Sequence, residues 1–526
     1  MTSTAAQLVT DLEARLRPLE VDLANAWWEA STNASEAASA RQAEADLVRR
    51  ALLADPDAFA ALRAARDETD LDPLVRRQLD VLHDASAPHQ LPESMRERLV
   101  ELETSVDATF NTFRGVLDGE PIDDNGILEV LRTSDDTDQR RRAWETSKQI
   151  GAEVADRVCE LARLRNEAAR LLGYRDHFAL ALATGEMEET RLFQTLDEVE
   201  RQTTTPFTDW KAELDATLAA RFGCTVDELR PWHVDDPFFQ DPPISGAIDL
   251  DHLFADQDLE ALTVRTFDGL GLDIRPVLDQ SDLYARDGKS QHAFCIDLDR
   301  EGDVRVLCNV EPNERWAETM LHEFGHGIYD REVRREIPWL LREASHPLTT
   351  EGVAMLFGRL ARDPEWLQRV AGVDADTVTE LAPRLALARR ASLLTFARWV
   401  LVVTHFERRL YADPEADLGT LWWDLVEQFQ QLPRPEDSDG AEWASKIHLA
   451  VVPVYYQNYL YGELVASQLD AAVRSRTGGF VDCEDAGRML TDHFFGPGAS
   501  SRWDELVERA TGEPLSAVHL ANQLRD

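Results

Sequence analysis

Apolar residues that recur three and four apart among charged ones run through most of this chain, and that period constrains the fold more than any other feature. It is plain in Leu8 to Leu23, with a break expected at Pro18, in Leu47 to Arg63 and in Arg140 to Leu172. Each such stripe marks one face of a helix that must be buried against another element. The fold class is therefore mainly α. The polar, alanine-rich stretch Ala30 to Ala45 reads as an exposed helix or loop. A chain of 526 residues is long enough for a large helical protein built around one cavity.

Two segments depart from the helical period. Residues 230–243 are rich in proline and large rings (Pro231, Trp232, Pro237, Phe238, Phe239, Pro242, Pro243) and read as an ordered loop, since flexible linkers seldom carry so many aromatics. From His292 to Val310, Phe294, Ile296 and Leu298 alternate with polar residues. After Arg300-Glu301-Gly302-Asp303, Val304, Val306 and Cys308 alternate again. This predicts a β-hairpin with one face buried.

Charge narrows the partners. With 98 acidic against 55 basic residues the formal net charge is −43, so the surface repels nucleic-acid phosphates and anionic lipid. Only Lys148, Lys211, Lys289 and Lys446 are lysine; every other basic residue is arginine. Dense carboxylates with few lysines fit a salt-adapted protein, because the Debye length shrinks to about 3 Å at 1 M salt; a generic acidic protein is the alternative. The most apolar stretch, Ala391 to Phe406, is interrupted by Arg398 and is too short to span a bilayer. The first residues hold no apolar core of signal-peptide length, and the five cysteines show no CxxC spacing. A cytoplasmic, reduced protein is expected, and nothing in the sequence specifies an oligomeric state.

The chemistry concentrates in His322-Glu323-Phe324-Gly325-His326. A helix capped by Asn313 and running through Trp316, Met320, Phe324 and Ile328 puts His322 and His326 four residues apart on one face. Both imidazoles can then reach one zinc ion at about 2.0–2.1 Å. Glu323, beside the first histidine, is placed to take a proton from a water that zinc has made acidic. With 13 histidines such a string also arises by accident, so the context decides. A catalytic site wants a third protein ligand and an open position. Glu351, in the first turn of an apolar helix through Val353, Leu356, Phe357 and Leu360, is the candidate. On its own, it reads better as an acid favoured by the helix dipole.

The 25-residue interval from His326 to Glu351 resembles the gluzincin arrangement, in which a second helix supplies a glutamate ligand. More specifically, the chain is similar to the angiotensin-converting-enzyme family of zinc dipeptidyl carboxypeptidases, with a more distant likeness to thimet-type oligopeptidases. The similarity is carried by Arg142-Ala143-Trp144-Glu145, by Leu164 to Arg170 with Gly173-Tyr174-Arg175-Asp176, and by Asn25-Ala26-Trp27-Trp28, which resembles the N-terminal lid. It runs from about residue 18 to about residue 470.

The resemblance implies a deep central channel between two helical halves, with the hairpin beside the active site. It also implies a single peptidase domain over 1–526, with a helical lid at 1–130, zinc-site helices at 313–361 and a substrate-binding helix at 446–472. His292-Ala293, 30 residues before His322, takes the place of the strand that aligns the substrate backbone. Lys446-Ile447-His448 matches the family's Lys-x-His, whose lysine holds the peptide's terminal carboxylate and whose histidine donates to the scissile carbonyl. Gln240 resembles the glutamine that completes the carboxylate pocket. A tyrosine hydroxyl near the zinc would stabilise the oxyanion; Tyr456 and Tyr459 keep the family's interval of three, but Tyr456 lies one residue too far from His448, so Tyr455 also competes for the nearer of the two positions.

Asn458 stands where a chloride-binding arginine is expected, which removes the ground for chloride activation. Met355 stands where a carboxylate would orient a zinc histidine, so another group must do so. The reading that follows is one Zn2+ per chain acting on short peptides and releasing C-terminal dipeptides. A thimet-like oligoendopeptidase, a carboxypeptidase removing single residues, and a non-catalytic peptide-binding protein are the alternatives.

Overall fold

Capping side chains set the helix boundaries in the computed structural model, which describes residues 4–243, 249–438 and 440–524. Thr4 caps the helix Ala5–Thr32, which continues through Pro18. The break expected there does not occur, because an exposed proline removes a single intrahelical bond while Leu12, Leu16 and Ala26 remain buried along the helix. The period from Leu47 to Arg63 is divided instead. Glu36–Leu53 ends, and Asp55, accepting from the Asp57 and Ala58 amides, starts Pro56–Arg66 with proline at its first position.

The described chain is 70% helical and its sheet consists of two short hairpins. The first four helices, through Ser86, share a small apolar core of Val9, Leu12, Leu16, Leu62, Leu79 and Leu82, which Trp339 and Leu340 join from the far side of the chain. Most of the buried apolar residues from Leu102 onward belong to one large core. None of the described helices is long and apolar enough to cross a membrane.

Three helices position the site: Glu314–Glu332, Pro347–Gly358 and Tyr456–Thr477. They cross at glycines. A Cβ on Gly325 would stand 3.1 Å from the Ala354 Cα, and one on Gly352 would meet Val465 at 2.6 Å and the Gly462 carbonyl at 3.1 Å. Absent side chains at these points let the backbones approach to a separation that larger residues would forbid.

The predicted hairpin forms from Phe294–Asp297 and Val304–Leu307. Its register pairs Cys295 with Val306 and Asp297 with Val304, and directly opposed residues share a face. The apolar sets of the two strands therefore lie on opposite faces, and the hairpin does not have one buried side. Cys295 and Val306 face Gly327 of the histidine helix, while Phe294 stacks on Trp27 at 5.0 Å and meets Trp28 edge-on. The second hairpin, Gly115–Leu117 with Glu120–Ile122, turns on Asp118 and Gly119, both at positive φ. That Asp-Gly pair is a recognised hairpin signal, here flanked by strands too short to stand out.

Candidate metal centre and carboxylate pocket

The Asn313 side chain accepts from the Trp316 amide at 2.9 Å and begins the helix that carries both histidines. Their rings stand edge to face, centroids 5.0 Å apart. The second helix begins earlier than its apolar stripe suggests, because Pro347 occupies its first position and His346 caps it. His346 Nδ1 accepts from the Leu348 amide at 3.1 Å and Nε2–H donates to the Gly185 carbonyl at 2.8 Å. Glu351 is thus the fifth residue of the helix, in its second turn and not its first, so the helix-dipole reading loses its ground. The Gly325 and Gly352 crossings bring Glu351 to the histidines: its carboxylate lies 3.8 Å from His322 Nε2, and one donor atom each from His322, His326 and Glu351 fall within 4.8 Å of one another.

This donor set fits zinc. Withdrawal from water pushes His322 down to about 4 and His326 to about 3, His322 adding to the latter, so both imidazoles are neutral and carry free lone pairs. Burial raises Glu351 to about 7, and burial with the Glu351 charge raises Glu323 to about 8. Two neutral imidazoles and two acids whose ionised forms burial disfavours make a site that a bound cation would stabilise. Two histidines and a glutamate as ligands leave one position open for chemistry.

These residues line a cavity of about 1180 Å³ whose other walls include Trp27, the hairpin from Ala293 to Leu298, and Pro453 to Tyr455. Ala293 is therefore at the site. His292 is exposed and is not among the lining residues.

A second cluster assembles around Lys446. Its Nζ donates to Gln240 Oε1 at 3.0 Å and faces the rings of Phe238, Trp399 and Tyr456 at 5.2–5.5 Å. Burial pushes this lysine down to about 8. Asp236 aims Gln240 by accepting from its amide at 3.1 Å and its Nε2 at 3.2 Å. The His448 ring packs 4.9 Å from Tyr456; burial lowers it to about 4, and its Nδ1 is buried with no hydrogen-bond partner among the described residues. None of Lys446, Gln240, His448, Tyr456 and Tyr459 is a lining residue of the large cavity.

The tyrosines join the two clusters. Tyr455 lines the cavity, packs on Tyr459 at 5.2 Å, and Tyr459 packs on Tyr456 at 5.6 Å. Burial and then the Glu351 charge raise Tyr455 well above the usual phenol range and Tyr459 to about 12, whereas Tyr456 belongs with Lys446 and His448. Between His448 and Tyr456 the chain passes through Val454 at a φ of 56°. That is a costly conformation for a β-branched residue. It is held from both sides: Glu407 accepts from the Val454 amide at 2.7 Å and Gln457 Nε2 donates to its carbonyl at 2.6 Å. Asn458 lines the cavity with an Oδ1 that has no partner among the described residues.

Sequence reasoning missed two residues. Thr350 Oγ1 stands 2.6 Å from His326 Nδ1, and Glu407 supports Val454 from a helix 47 positions earlier. A hydroxyl next to the glutamate ligand was a signal for the first; an acid in an apolar stretch, Glu407 after Val400 to Phe406, was a weaker one for the second.

Comparison with known families divides the chain. Residues 1–223 match the family model described as angiotensin-converting enzyme, and residues 280–526 match that of peptidase family M3, the thimet-type group. The candidate ligands His322, His326 and Glu351 thus fall in the second match and the N-terminal helices in the first. Both families are zinc metallopeptidases. No curated protein matches the chain.

Proposed function

We propose that this chain, a zinc metallopeptidase similar to angiotensin-converting enzyme with thimet-like similarity, releases C-terminal dipeptides from short peptides. His322, His326 and Glu351 would hold the zinc. Zinc bound there supplies Lewis-acid activation of a water and of a peptide carbonyl. Glu323 takes a proton from the attacking water and returns it to the leaving nitrogen. Tyr459, with His448 or Tyr455, donates to the developing oxyanion. Ala293 lies where an extended substrate backbone would pass, with His292 beyond the rim.

The observation that carries the C-terminal preference is the pairing of Lys446 with Gln240 in an aromatic surround. A compact ammonium and an amide held this way suit a free carboxylate, and the Tyr456 ring closes the same group. Five unpaired cysteines among the described residues favour work in a reducing compartment.

Product analysis by mass spectrometry of a peptide library with free and amidated ends tests the reading. Dipeptides from free-ended peptides, with amidated ones spared, are expected. The peptidase family M3 match over residues 280–526 favours a second reading, an oligoendopeptidase. Internal cleavage of amidated peptides at equal rates would establish that reading and overturn the first. Loss of single residues would instead identify a carboxypeptidase.

A further inference from the structure

We infer that Thr350 is the positioning residue for the metal ligand His326, fixing its tautomer and ring plane through its hydroxyl. The inference rests on the reading of His326 as a ligand. For Nε2 to offer a lone pair to a cation, Nδ1 must carry the proton and donate it. The atom 2.6 Å from Nδ1 is Thr350 Oγ1, which accepts. The alternative tautomer, with the hydroxyl donating to Nδ1, would place a proton on Nε2 and close the ring to metal.

The neighbourhood supports that assignment. Met355, one turn beyond Glu351, offers no strong acceptor, and its sulfur lies 3.2 Å from the point where a Cβ on Gly462 would stand, against the tyrosine helix. Thr350 is β-branched in a helix, so its hydroxyl has few rotamers to choose from. The helix itself is pinned by the His346 cap at one end and the Gly352 crossing on its flank. Thr350 and Glu351 are adjacent, so one rigid turn carries a ligand and the group that orients another ligand. A displacement of that turn would disturb both. A neutral hydroxyl also leaves the imidazole less basic than a carboxylate partner would, and so sets the metal affinity of the site.

The test is zinc affinity of the full-length protein, measured by competition with a fluorescent chelator for Thr350→Val, Thr350→Ala and Thr350→Ser, with far-UV CD to confirm folding. Removing a group of this kind weakens metal binding by about 10–100-fold, so Val and Ala should fall in that range and Ser should stay close to wild type. Zinc held as tightly by Val or Ala as by wild type would overturn the inference. So would a Ser variant as weak as Ala, since that would assign the effect to packing. His326→Ala serves as the control. If it keeps one equivalent of zinc at wild-type affinity, the ligand reading beneath the inference fails instead.

Discussion

The metal cluster and the lysine cluster are built in different ways. His322, Glu323 and His326 come from a single helix, and Glu351 reaches them where two backbones cross at glycines. Lys446 and Gln240 lie 206 positions apart on irregular segments, which are held in place by polar ties. Asp236 aims Gln240, Gln430 Nε2 donates to the Phe238 and Phe239 carbonyls at 3.0 and 2.8 Å, and Arg165 donates to the Ala450 carbonyl at 2.6 Å. Helix geometry fixes the first cluster almost without help, whereas the second depends on many separate contacts. Rate should therefore depend mainly on the first, and substrate choice on Lys446 and Gln240 of the second.

The largest expected effect breaks the first cluster chemically. Glu323→Gln should lower kcat by about 10²–10⁴-fold while zinc content by metal analysis stays at the wild-type level; unchanged turnover would remove Glu323 from the mechanism. Next comes its architecture. Gly352→Val forces a side chain into Val465 and the Gly462 carbonyl, and overpacking of this kind costs about 1–3 kcal/mol. A lower Tm together with weaker zinc binding is expected, and a Tm drop with intact zinc affinity would separate the crossing from the metal site.

The lysine cluster should show itself in pH dependence. Lys446, pushed down to about 8 by burial, is a cation below that pH and neutral above it. Its contribution to kcat/KM for free-ended peptides is therefore present below about pH 8 and lost as pH rises through it, while amidated peptides should show no such limb. The smallest effect concerns the surface. None of the four lysines is exposed: Lys148, Lys211 and Lys289 are buried and Lys446 is half-buried. The outer cations are arginines set among many carboxylates. A modest rise of Tm with added KCl, followed by CD, would support salt adaptation, and a flat response would favour a generic acidic protein.

What could be read from the sequence follows the same division. The four-residue spacing of His322 and His326 is a property of one helix and was legible from the sequence, whereas Glu351, on another helix, was reached only through the resemblance to the gluzincins. Alternation in residues 292–310 revealed the hairpin, but register, which depends on the turn, decided that its two apolar sets face opposite ways. The positive φ of Val454 and its tie to Glu407 had no local signature, because a long-range acceptor makes that conformation tenable. Likewise Pro18 was read as a break, although an exposed proline inside a long packed helix need only cost one hydrogen bond. Thr350 carried a sequence signal, a hydroxyl beside Glu351, but its partner emerged only with the distance to His326.

The central claim, that one cluster cuts and the other selects, is tested most directly by Lys446→Met, with kcat/KM compared on matched free and amidated peptides and zinc measured alongside. The account predicts about a 10–100-fold loss on free-ended peptides, as expected for removing a charge-assisted hydrogen bond of about 1.5–3 kcal/mol. It predicts little change on amidated ones and wild-type zinc content. Equal losses on both substrates, or no loss on either, would contradict it.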